Sequence, residues 1–185
     1  MERLQRVALW ATLVVLAIFC AAPQVGQAYI PETRVKPPGK QMPFAYLKMD
    51  RALASAYFTP KRSDYASYED YLEAVRINGT GITHFDDKAA IGTLAADIKD
   101  YPRGTKIRIF IGNQDLGTWT VKDIGPAIKN KKRHVMARDE DGELKKVTLW
   151  NRFDMHVGEG KRAGRLANKL GLFVIKIYVL EWGNG

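Results

Sequence analysis

Leu172-Phe173-Val174-Ile175-Lys176-Ile177-Tyr178-Val179-Leu180 is the stretch that decides the fold class. It is a nearly continuous apolar run rich in β-branched and aromatic residues, the pattern of a strand buried in a barrel or sandwich. Just upstream, Ala163, Leu166, Ala167 and Leu170 recur at the spacing of one helical face. Gly171 then suits the C-terminal cap of that helix. Further back, Ile107, Ile109 and Ile111 alternate with Lys106, Arg108 and Phe110, which predicts a half-buried strand over 106–111. A turn around Asn113 to Gly117 leads into a second strand, Trp119–Asp123. The highly charged segment 130–151 holds two β-prone runs flanking Asp139-Glu140-Asp141-Gly142, and the Asp-Gly pair predicts a protruding hairpin. Toward the N-terminus, Ser67-Tyr68-Glu69-Asp70 resembles a capping box. Tyr68, Tyr71, Leu72 and Val75 continue it as a short amphipathic helix that Asn78-Gly79 ends. Ala52-Leu53-Ala54-Ser55-Ala56-Tyr57 is the first strand candidate. The sum is a mainly β domain over 51–182 with two short helices.

The whole chain has 185 residues, 46% of them apolar, which suffices for one packed core. Its single cysteine excludes a disulfide scaffold. Residues 1–28 have the layout of a secretory signal peptide: Arg3 and Arg6, an apolar run from Val7 to Ala22, then small residues ending at Ala28. Cys20 falls within that segment and follows Phe19 rather than a small residue, which argues against a lipid anchor. Residues 29–50, with Pro31, Pro37, Pro38 and Pro43, read as an extended arm. No second stretch is apolar enough to cross a membrane, so the expectation is an exported protein without stable membrane insertion once the signal is removed. A formal charge of +9 favours anionic polymers as partners, and export favours cell-wall polymers over nucleic acid.

No phosphate-binding glycine loop, nucleophile elbow or paired metal-ligand spacing is present. His84, His134 and His156 are scattered, and no metal or cofactor is expected. The informative residues are three aspartates set among apolar residues, Gly and Pro: Asp97, Asp123 and Asp154. A carboxyl group among apolar side chains loses hydration and holds its proton to higher pH, as glycosidases require of their acid. Read alone, each is better explained by capping a turn.

Taken together, these segments resemble the three-aspartate (3D) domain found at the C-terminus of membrane-bound lytic transglycosylase A and in small wall-lytic proteins. Ser55-Ala56-Tyr57 is similar to its Thr-Ala-Tyr signature, and Glu73-Ala74-Val75-Arg76-Ile77-Asn78-Gly79 to its helix and turn. The likeness continues through Gly92-Thr93-Leu94-Ala95-Ala96-Asp97, Pro102-Arg103-Gly104-Thr105, Asp123-Ile124-Gly125-Pro126-Ala127-Ile128-Lys129 and Arg152-Phe153-Asp154-Met155. The resemblance implies a six-stranded double-psi β-barrel with an aspartate-lined groove for peptidoglycan glycan strands. It implies cleavage of the β-1,4 bond between N-acetylmuramic acid and N-acetylglucosamine with closure of a 1,6-anhydro ring. Asp154 would be the acid/base, Asp123 its neighbour and Asp97 the third member. Lys129, Tyr57 and Gly125 would contact substrate. His156 shares a face with Asp154 if the segment is extended, but the resemblance gives it no role. Pro126 and Asn130 stand where the family has glycine, and the hairpin at 130–151 lengthens the interval between Asp123 and Asp154. The altered Pro126 loop leaves a second expectation, a non-catalytic module that binds wall polysaccharide.

Overall fold

The structure, a computed structural model, describes residues 44–185. The expected signal peptide and the arm as far as residue 43 lie outside the described residues. Eight strands are present: β1 Lys48–Thr59, β2 Thr93–Ala95, β3 Lys106–Ile111, β4 Gln114–Asp123, β5 Arg133–Arg138, β6 Leu144–Leu149, β7 Asn151–Glu159 and β8 Phe173–Glu181. Two α-helices accompany them, α1 Tyr68–Asn78 and α2 Gly160–Leu170. The domain is therefore mainly β, as its strand periodicities predict.

Six strands follow the order β1-β7-β2-β4-β3-β8, and β8 pairs back with β1 to close a ring. Within it β1/β7 and β2/β4 run parallel, while the other neighbours run antiparallel. Alternation along each strand points one set of side chains inward. Ala52, Ala54, Leu94, Ile107, Ile109, Val121, Phe153, Ile175, Ile177 and Val179 are fully shielded there. Each large member contributes about 1.5–3 kcal/mol of burial, which is what holds so short a strand as β2 in place. The long run of β8 is apolar on both faces because Ile175 and Ile177 enter the ring while Val174 packs beneath the hairpin.

Both helices start and stop where their residues dictate. Ser67 Oγ accepts the Asp70 N–H over 3.0 Å at the start of α1, and Gly79 ends it at φ +82°. α2 packs Ala163 and Ala167 against Phe58. Gly164 permits that close approach: a Cβ would sit 2.8 Å from Phe58 Cζ, and the ring would have to shift.

Two expectations need correction. β1 begins at Lys48, inside the stretch read as an arm, because Lys48 to Ala54 pair with β8 along their whole length. The β5/β6 hairpin does not project freely. Ala137, Val135, Val147 and Leu149 cover Leu53 and Val174 on the outside of the ring, and Arg138 pairs with Phe173.

Candidate active site

The short strand β2 builds the site. Ala95 is in register with Asp154 of β7 on one side and with Asp123 of β4 on the other. Ser55 of β1 is in turn opposite Asp154. Ser55, Asp154, Ala95 and Asp123 thus form one row across four adjacent strands, and directly opposed residues share a face. At about 4.8 Å per strand spacing, the two aspartate Cα atoms are about 10 Å apart, with only a methyl group between them. The neighbours Leu94, Phe153 and Met155 point the other way, into the core.

Asp154 is half-buried. Its Oδ1 accepts from Ser55 Oγ over 2.7 Å, and Ser55 Oγ in turn accepts from Arg152 Nη2 over 2.6 Å. Burial holds the Asp154 carboxyl above the usual carboxylate range, and the charge of Asp123 adds to the rise. The Ser55 hydrogen bond, the Arg152 charge and the Met155 backbone oppose it without cancelling it. Arg152 Nη1 is buried and has no acceptor.

Asp123 has different surroundings. Its Oδ1 accepts the backbone N–H groups of His84 (2.8 Å) and Ile124 (2.9 Å), and its Oδ2 accepts the Tyr57 hydroxyl over 3.1 Å. Tyr57 is held above the ordinary phenol range by burial first, then by the charges of Asp123 and Asp154. Its ring meets the His156 ring edge-on at 5.0 Å.

Asp97 is buried and turned to structural use. It accepts Lys99 N–H over 3.3 Å and Asn130 N–H over 3.1 Å, so it ties the 97–101 turn to the loop after Asp123. Asn130 extends that tie, donating to Asp100 over 2.8 Å and accepting Arg152 N–H over 2.9 Å. The loop itself turns at Gly125, whose carbonyl accepts Ile128 N–H over 2.9 Å, leaving Pro126 and Lys129 exposed. The structure therefore brings Asp123, Asp154 and Tyr57 together, gives Asp97 a supporting place and leaves Lys129 at the surface.

Sequence reasoning missed three participants: Ser55 as the donor to Asp154, Asn130 as the staple and Ala95 as the gap between the carboxylates. Only the last carried a signal, a small residue two positions before Asp97. His156 is fully buried, with Nε2 2.9 Å from Thr59 Oγ1 and Nδ1 without a well-formed hydrogen bond. Burial depresses its imidazole pKa, only partly offset by the Ala90 backbone and by the charges of Glu159 and Asp123. Among the described residues no three His, Cys, Asp or Glu side chains are grouped to hold a metal, and no helix is long and apolar enough to cross a membrane.

No protein-family profile matches the chain, and no curated protein sequence matches it. Among solved structures it is similar to the lytic transglycosylase MltA from E. coli, at 18% identity and TM-score 0.39, over 65% of this chain and 36% of that chain. It is similar also to E. coli MltA with bound chitohexaose, at 16% identity and TM-score 0.39, over 63% and 36% of the two chains. MltA from Neisseria gonorrhoeae matches at 17% identity and TM-score 0.33, over 56% and 24%. The chain thus spans about a third or less of the length of these enzymes.

Proposed function

We propose that this protein is a lytic transglycosylase of peptidoglycan, with Asp154 as its acid/base. The observation that carries the reading is one row of two carboxyl groups: Asp154, which burial holds above the usual carboxylate range, and Asp123, which accepts three hydrogen bonds. A carboxyl group that burial holds above its usual range is the candidate proton donor of such a site. Asp154 would pass its proton to the leaving glycosidic oxygen. The muramic 6-hydroxyl would then bond to its own anomeric carbon and return a proton to Asp154, so that no water is consumed. Asp123, with Tyr57, would orient the sugar and stabilise positive charge developing at its ring. Gly125 and Lys129 would border the glycan, and Asp97 would hold their loop.

On this reading the six-strand ring is a double-psi β-barrel of the 3D kind, the protein is exported, and its partners are glycan strands and anionic wall polymers. Incubation with purified peptidoglycan should release 1,6-anhydromuropeptides detectable by mass spectrometry. Asp154→Asn should abolish release while leaving sacculus binding within about twofold of the parent. The non-catalytic reading rests on the exposed Pro126 loop and on the filled hydrogen-bond positions of Asp123. Binding to sacculi without anhydro products between pH 4 and 8 would decide for it.

A further inference from the structure

α2 carries four cations and no anion: Lys161, Arg162, Arg165 and Lys169, all exposed. Among the described residues none of the four side-chain cations pairs with a carboxylate within 4.0 Å, and the nearby Asp64 Oδ2 is taken up by the Lys161 backbone N–H over 2.6 Å. Other cations nearby are matched. Lys61 and Lys88 share Glu159, which immediately precedes α2, and Arg51 and Lys176 share Glu140 on the hairpin. The arrangement on α2 costs stability twice over. Lys161 with Arg165 and Arg165 with Lys169 are like charges four residues apart, and Arg162 with Arg165 three apart. Lys161 and Arg162 also occupy the first turn, where the helix dipole disfavours positive charge.

The apolar side of α2 is already used, since Ala163 and Ala167 pack on Phe58 and Leu170 packs on the core. The side facing solvent is therefore charge without an exposed large apolar residue. A helix that enters a lipid interface needs such residues on its outer face, and α2 has none to offer. It also has no aromatic side chain on which a nucleic-acid base could stack. What remains is a row of charges. Lys161, Arg165 and Lys169 are spaced about 6 Å apart along the axis, the rise of four helical residues, and the row is about 12 Å long. Arg162 and Arg165 add the planar two-pronged donor that matches a phosphate.

We infer that the outward face of α2 docks a linear polyol phosphate, a polyanion that bears phosphate at regular intervals and carries no bases. Bound there, the polymer's charges relieve the repulsion among the four cations. This surface lies outside the Asp154 row and does not depend on whether the protein cleaves peptidoglycan.

The test is binding of fluorescent poly(glycerol phosphate) to the full chain, followed by anisotropy at increasing salt. Replacing Lys161, Arg162, Arg165 and Lys169 together with Gln should weaken binding by about tenfold or more and flatten its salt dependence, because screened attraction is what is lost. Helicity should be kept, since glutamine is a good helix former and the repelling pairs are gone. The control replaces Lys99, Lys131, Lys132 and Lys146 with Gln, which lowers net charge equally, and should lose less than about threefold. Arg165→Gln alone, expected to weaken binding by about threefold, serves if the quadruple variant does not fold. Equal losses from the two quadruple variants would overturn the inference. So would phosphatidylglycerol vesicles or a single-stranded oligonucleotide bound as tightly as the polymer.

Discussion

The Ser55 hydroxyl donates to Asp154 Oδ1 over 2.7 Å, and its oxygen accepts from Arg152 over 2.6 Å. A cation, a hydroxyl and a buried acid are thus wired in sequence, and the proton affinity of Asp154 is set by the balance between that chain and burial.

Ser55→Ala removes a hydrogen bond that favours the charged form of Asp154, so its pKa should rise further. A general acid is lost as pH rises through its pKa. The alkaline limb of the pH–rate profile should therefore move upward in the variant, with the acidic limb changed less. A profile that keeps its alkaline limb would show that Asp154 is not the titrating acid.

Asp154→Asn should stabilise the fold at neutral pH while destroying activity. Because the folded carboxyl binds its proton more tightly than the unfolded one, stability falls as pH rises from the unfolded value through the folded value. A neutral amide does not titrate. The variant should melt at a higher temperature than the parent at pH 7, and the gain should vanish below about pH 3.5. Thermal unfolding followed by circular dichroism at the two pH values checks this.

His156 has the opposite sign. Its folded pKa lies below the ordinary value, so the folded state holds fewer protons than the unfolded chain and loses stability as pH falls below about 6.5. His156→Phe keeps the ring packed against Tyr57 and cannot charge. The difference in melting temperature between variant and parent should grow in favour of the variant from pH 7.5 to pH 5. A constant difference would place the acid sensitivity elsewhere.

Ala95→Val should hurt catalysis more than folding. The added methyl groups widen the one residue that the register places between Asp123 and Asp154. Release of anhydromuropeptides should fall by about tenfold or more through misplacement of substrate, with the melting temperature lowered by only a few degrees. Equal loss in both would make Ala95 a packing residue alone.

Much of this architecture is written locally. The alternation in Lys106–Ile111, the capping Ser67 with Gly79, the Ala163/Ala167 spacing and the Asp139–Gly142 turn each act over a few residues, and each element forms where those residues stand. β2 had no such signature. Three residues are too few for a period, and Thr93–Ala95 becomes a strand only because β4 and β7 pair with both its edges. The placing of the hairpin was equally hidden, since Val135, Val147 and Leu149 look like any β-prone residues until Leu53 and Val174 lie beneath them.

The aspartates divide along the same line. Their types and neighbours marked Asp97, Asp123 and Asp154 as unusual, but a carboxyl group's proton affinity depends on what surrounds it in space. Ser55, 99 residues away in the chain, and Tyr57, 66 residues from Asp123, decide those surroundings. Sequence alone thus determined most of the elements, though not β2, and the list of acids, because these follow from side chains within a turn or two. Only the closing of the ring decided which acid is buried, which is bonded and which is structural, because desolvation and hydrogen bonding act between strands that the chain itself keeps far apart.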